Sequence, residues 1–334
     1  EEAVECLHDN HATFNRNQAT STRLVPSGLQ VWGEWERDRA VVTQVRHASA
    51  AWRAGIRRGD VIEAVDGNPV ATAVVGRMPC CVRGKDAAEL ARQWALLALL
   101  AGRHHRAVDL TLSHSGITRE VTFDPREDSS STDDLPDVSW RRNPDGSGYI
   151  AINDLGDADT VEAFDAALAE LRDTSDLFID LRNTPGGGNT DVAEPILGRF
   201  IDREQPYQQI EPMHGEAWLR RVAPRGPWQY TRPLTVLVSR WTGSMGEGMA
   251  IGLDAMQRAR VCGSRMAGLN GAVFDHALPA TGIVVRLPGE RLSHLDGTPR
   301  EAFRPPVFVE NAEAEAAADE QAWIEHSLSA CGGR

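Results

Sequence analysis

Apolar positions along the chain follow two rhythms. In the first third they come in short alternating runs interrupted by Gly, Asp and Pro. Such runs predict half-buried strands at residues 28–31 and 40–45, a helical turn at 49–54, and a strand that ends in the Asp66-Gly67 hairpin turn. Residues 86–100 change period, with Leu90, Trp94 and Leu97 recurring at helical spacing. Beyond residue 148 the rhythm becomes continuous apolar runs followed by helical patterns. Strands are predicted at 149–152, 177–181 and 234–238, and helices at 160–172, 192–200 and 246–257. Alternation of this kind predicts an α/β layer built on a largely parallel sheet. Residues 124–137 (DPREDSSSTDDLPD) are acidic, serine-rich and poor in apolar groups, as a linker is. The expected organisation is a helical segment at 1–26, a β-rich unit with helices at 27–123, a linker at 124–140 and an α/β core at 141–334. Residues 71–85 read as an insertion, and 312–328, rich in Ala and Glu, as a surface helix.

Composition narrows the function classes. The chain has 334 residues, 41% hydrophobic and 25% charged, with a formal net charge of -13. That is an ordinary globular composition. Its acidity argues against nucleic-acid partners, which require clustered cations. No apolar run reaches the ~20 residues that span a bilayer, and Glu1-Glu2 opens the sequence without an apolar leader, as a mature or trimmed end would. Lys85 is the only lysine. The five cysteines, Cys6, Cys80, Cys81, Cys262 and Cys331, form no CxxC pair and no metal-binding spacing. Cys6 and Cys331 would pair if the termini met, and Cys80-Cys81 reads as structural.

Three distant segments could carry chemistry. In the first, FIDLRNTPGGGN, a buried strand runs into Gly186-Gly187-Gly188, where bare backbone amides could face an anion or simply make a tight turn. In the second, LTVLVSRWTGSMGE, Ser244 stands where a helix begins. Its hydroxyl could be a nucleophile with the Met245 amide as an oxyanion donor, or a helix cap forming an S-x-x-E box with Glu247. The third, DNHATF, contains His11, one of 10 histidines.

The phrase AGIRRGDVIEAVDGNPV resembles a PDZ domain. In such a domain the 28–31 strand and the 86–100 helix flank a groove that takes a peptide by strand addition, which makes Gly28, Leu29, Val31, Leu90 and Trp94 candidate peptide contacts. Taken together with FIDLRNTPGGGN, the Ser244 segment, ARVCGSRMAGLNG and DGTPREAFRPPVFV, the chain resembles the tail-specific (C-terminal processing) serine peptidases, in the branch of tricorn protease and the photoreceptor retinoid-binding protein. The resemblance implies a PDZ domain plus an α/β catalytic core of the ClpP/crotonase-like type. Processing peptidases with a Ser–Lys dyad carry the lysine in the loop that here reads Ala267-Gly268-Leu269-Asn270-Gly271, so Leu269 takes its place. The tricorn-like branch uses a histidine from before the PDZ domain instead. The resemblance therefore implies Ser244 as nucleophile, His11 as base, Glu301 as the orienting acid, Asn10 where tricorn has a serine, and Gly186 or Gly187 with Met245 as the oxyanion hole. It implies polypeptide substrates, no cofactor, no metal, and a periplasmic or secreted location. The alternative is a binding protein on the same fold with weak or no activity.

Overall fold

The structure is a computed structural model that describes residues 2–79, 81, 85–127, 135–186, 188–309 and 320–331. The chain divides into two compact units, residues 1–130 with 273–287 and 312–323, and residues 131–272 with 288–311 and 324–334.

The first unit contains α1 (Glu2–Glu5), β1 (Thr13–Phe14), β2 (Val31–Glu36), β3 (Arg39–Val45), α2 (Ala50–Arg53), β4 (Val61–Val65), β5 (Asn68–Pro69), α3 (Val70–Arg77), α4 (Lys85–Ala101), β6 (Val108–His114) and β7 (Ile117–Phe123). Its sheet runs β2-β3-β4-β6-β7, all antiparallel. The RRGD phrase is explained by Asp60, which is 1% exposed, accepts from the Arg57 amide at 2.9 Å and pairs with Arg119 at 2.6 Å. Helix α4 lies directly on β2, where a Cβ on Gly33 would come within 2.7 Å of Leu100. A hairpin from later in the chain, β15 (Val273–Ala277) and β16 (Val284–Pro288), joins this unit through antiparallel pairing of β16 with β1. The expected core at 141–334 therefore lends residues 273–287 to the other unit. The stretch read as an insertion contributes helix α3, whose Val70 and Val74 are buried.

The second unit contains β8 (Val138–Arg142), β9 (Gly148–Ile152), α5 (Asp159–Glu170), β10 (Leu177–Asp180), α6 (Thr190–Leu197), β11 (Gln205–Pro212), β12 (Trp218–Val222), β13 (Leu234–Val238), α7 (Met245–Ala255), β14 (Arg260–Gly263), β17 (Glu290–Ser293), β18 (Val307–Phe308) and α8 (Glu320–Cys331), of which residues from 324 on belong here. Its main sheet runs β18-β14-β13-β10-β9-β8, parallel except for the β8–β9 pair. Parallel strands are covered on both faces and so read as unbroken apolar runs; Leu177, Phe178 and Ile179 of β10 are all buried. Beside it runs a smaller antiparallel sheet, β12-β11-β17.

Two disulfides are present, and neither is the pairing that the termini suggested. Cys6 bonds Cys81 within the first unit and Cys262 bonds Cys331 within the second, each with Cα atoms 5.8 Å apart. Helix α8 brings Cys331 to strand β14, where its partner is Cys262. It is also no simple surface helix, since Ile324, Ser327 and Cys331 are buried. Cys80 lies outside the described residues. Among the described residues no helix is long and apolar enough to cross a membrane.

Candidate functional site

Strands β10 and β13 are adjacent and parallel, so the loops that leave their C-terminal ends emerge side by side. Hydrogen bonds lock the two loops together: Gly243 N–H donates to Thr184 O at 2.9 Å, and Thr242 Oγ1 donates to Leu181 O at 2.7 Å. Close backbone approach requires glycine at two points. A Cβ on Gly243 would lie 2.5 Å from Pro185 O, and one on Gly188 would lie 2.9 Å from the Met245 Cβ. The glycine loop thus rests against the start of α7. Ser244 occupies the N-cap there with φ 50° and ψ -112°, a conformation that non-glycine residues hold only when their surroundings enforce it. It is half-buried. Met245 N–H is the first amide of α7, among those a helix leaves without an intrahelical partner. A Cβ on Gly186 would meet no atom within 4 Å, so this glycine borders open space. Gly187 lies outside the described residues.

Beneath Ser244 is a buried polar network. Glu247, fully buried, accepts from the amides of Ser244 at 2.9 Å, Gly268 at 2.9 Å and Leu269 at 3.2 Å. Burial pushes its carboxyl up to about 7, against the opposing pull of Arg300 and of those three amides. The Leu269 side chain is 3% exposed and packs toward Gly243, 3.3 Å from where a Cβ there would sit. The position expected of a lysine is therefore filled by hydrocarbon, which holds no proton. Arg300 is 4% exposed and donates to Leu269 O and Gly271 O, each at 2.8 Å, and to Ser244 O at 3.4 Å. Its neighbour Glu301 is exposed, with its backbone and Cβ 3.8–4.0 Å from where a Cβ on Gly268 would sit. Ser244, Met245, Gly186 and Glu301 are thus gathered in the second unit, at the ends of β10 and β13.

Further back, Asp180 and Arg182 flank the strand end. Both are buried and form a forked ion pair, Arg182 Nε contacting the two Asp180 oxygens at 2.9 and 3.0 Å. Tyr149 donates to Asp180 at 2.7 Å, and the Arg182 guanidinium contacts Ser327 of α8. Arg300 carried no marker of its own among so many arginines, and Asp180 and Arg182 stood in the glycine-loop phrase without a sign of their pairing. The S-x-x-E spacing was the one available signal for Glu247.

His11 and Asn10 belong to the first unit. His11 N–H donates to Asp9 Oδ1 at 2.9 Å, and just beyond it the chain enters β1, where Thr13 pairs with Arg286. The segment is tied down by Cys6–Cys81 and by the Glu5–Arg77 ion pair at 2.8 Å. Asn10, Glu5, Phe14, Arg77 and Trp94 line a cavity that is half open to solvent. Trp94, an expected peptide contact, is instead 9% exposed beneath the Arg77 guanidinium, which is 4.5 Å from its ring centre. Leu29 and Val31 are fully buried and have no side-chain surface to offer a peptide, and the Gly28 amide is turned inward to Leu24 O at 2.7 Å. Leu90 is exposed. Between α4 and the β2 edge, Gln93 Nε2 donates to Gly33 O at 2.8 Å and Trp35 Nε1 to Arg92 O at 3.3 Å. One backbone carbonyl of β2, that of Gly33, is thus bonded to its own helix.

Residues 146–303 match the sequence profile of peptidase family S41, and residues 41–75 that of a PDZ domain. The carboxy-terminal processing protease CtpB of Bacillus subtilis is 24% identical over 217 residues, 64% of this chain and 41% of that protein. A CtpA-like serine protease of Staphylococcus aureus is 25% identical over 257 residues, 77% of this chain and 46% of that protein. The chain therefore spans less than half the length of these curated relatives. Among solved structures, the photosystem II D1 C-terminal processing protease matches with a TM-score of 0.57 at 21% identity, covering 99% of this chain and 84% of that one. Mature CPAF complexed with lactacystin matches with a TM-score of 0.62 at 18% identity, covering 98% of this chain and 86% of that one. At such identities the likeness speaks for the fold. The profile match, the PDZ segment and the strand–loop–helix geometry around Ser244 agree: residues 146–303 are a peptidase family S41 segment, with a PDZ segment at 41–75 ahead of it.

Proposed function

We propose that this protein is a serine endopeptidase acting on unfolded or C-terminal polypeptide segments, with Ser244 as nucleophile and His11 as its base. The observation that carries this reading is the backbone of Ser244, held at positive φ on the first turn of α7 with the glycine loop packed against it. In the proposed reaction the Ser244 hydroxyl oxygen bonds to the scissile carbonyl carbon while its proton passes to His11. The oxyanion of the tetrahedral intermediate is received by Met245 N–H and an amide of Gly186 or Gly187. His11 then gives its proton to the leaving amine, which departs as the C–N bond breaks, and water hydrolyses the acyl-enzyme by the same path in reverse order. Glu301 orients the histidine and Asn10 supplies a hydrogen bond beside it. Hydrocarbon at Leu269 favours a histidine over a lysine base, because the nearest replacement for the lysine cannot titrate. The two disulfides fit an oxidising compartment, periplasmic or extracellular.

Mass spectrometry of protein treated with a fluorophosphonate tests the nucleophile, with the adduct expected on Ser244. Ser244→Ala should lose peptide hydrolysis by roughly 10⁴-fold or more while melting like the parent. A folded parent protein with neither adduct nor turnover would establish instead a binding protein on a peptidase fold.

A further inference from the structure

We propose that Arg300 is a positioning residue for Ser244: its guanidinium holds the nucleophile's own carbonyl together with those of Leu269 and Gly271, and so keeps the serine in its strained conformation. The inference rests on the reading of Ser244 as the nucleophile.

Ser244 at φ 50°, ψ -112° stores backbone strain, which its surroundings must hold in place. Two groups reach it from below. Glu247 takes the Ser244 amide, and Arg300 takes the Ser244 carbonyl. The same two groups grip the 267–271 loop from opposite sides of its peptides, Glu247 through the amides of Gly268 and Leu269 and Arg300 through the carbonyls of Leu269 and Gly271. Nucleophile and loop are thus cross-braced by one buried anion and one buried cation. Arg300 also has an electrostatic duty, since it is the charged group that stabilises the Glu247 carboxylate in its buried site. A planar guanidinium with several fixed donors can serve three carbonyls at once, whereas an ammonium cannot match that geometry. The loop itself has little freedom to compensate, because Gly271, at φ 40°, lies so close to the Glu290 backbone that a Cβ would overlap it.

Steady-state peptide hydrolysis and the rate of fluorophosphonate labelling at Ser244, each measured on the full chain, test this for Arg300→Met and Arg300→Lys. Displacing reacting groups by about an ångström costs about 100-fold. Arg300→Met is expected to lower kcat and the labelling rate by about that factor with KM within about threefold. Arg300→Lys, which keeps the charge but not the planar fork, should recover only part of kcat. Glu247→Gln, which sets an amide nitrogen against a backbone donor, should lower kcat in the same way and serves where Arg300→Met fails to fold. Parental kcat and labelling in either folded Arg300 variant would overturn the proposal, and so would a loss carried by KM alone. A parent protein that is neither labelled nor active would instead overturn the assignment of Ser244.

Discussion

The anchors around Ser244 are buried, Glu247 at 0% and Arg300 at 4% exposure, whereas Glu5 and Arg77, which help to hold the His11 segment, keep 23% and 16% of their side chains in solvent. The first region sits at the end of a parallel sheet, where each buried polar group needs a hydrogen-bond partner. The second is a short helix and an irregular stretch fastened by one disulfide, one ion pair and a two-residue strand. Nucleophile geometry is therefore a property of the core, while the placement of the proposed base depends on fasteners that solvent, salt and thiols can reach.

The sharpest way to break this contrast is at the base. His11→Ala should lower kcat by roughly 10³-fold, the middle of the range that general acid–base groups supply, with little change in melting temperature. Unchanged hydrolysis in that variant would remove His11 from the mechanism and leave only the well-anchored region with a role. Stability should separate the two regions next. Arg182→Met strands the buried Asp180 charge and is expected to cost about 3–5 kcal/mol, whereas Glu5→Gln should cost less than about 1 kcal/mol because its pair is screened by solvent. Equal losses in chemical denaturation would erase the distinction.

The last comparison turns on a single proton. Glu247 has a folded-state pKa of about 7, above its ordinary 4.5. Its contribution to stability is therefore fully present below about pH 4.5 and is lost as pH rises through about 7, a swing on the order of 3 kcal/mol. Between those values the folded chain holds a proton that the unfolded chain releases. Calorimetric unfolding near pH 6 in buffers of different ionisation enthalpy should detect this release, and Glu247→Gln should abolish it. A parent protein that unfolds there without releasing a proton would show that the carboxyl is already ionised.

Much of the architecture was legible because local pattern and global fold agree. Unbroken apolar runs at β10 and β13 announced a parallel sheet, and Ser244 stood where such a strand hands over to a helix. Helix α3 was hidden because only Val70 and Val74 of its eight residues are buried, too few to mark a face. Strand β15 is exposed along its whole length, so no alternation betrays it. The peptide-groove candidates show a related limit: apolar residues look alike whether they line a groove or fill a core, and Leu29 and Val31 are buried while Trp94 borders a cavity. Arg300 was illegible because its value lies in three carbonyls that no side-chain pattern encodes. Cysteine pairing likewise depends on where helices end, as α8 shows by carrying Cys331 to Cys262.

The two cystines each close a loop on their own side of residues 128–134, joining positions 75 and 69 residues apart. A single nick in that acidic stretch would consequently yield two fragments that neither bridge keeps attached, so they would migrate separately on a denaturing gel even without reductant. A nick between residues 7 and 80 would leave its pieces covalently joined. Hydrolytic trimming at these two places thus has opposite physical outcomes, severance in one case and a silent break in the other.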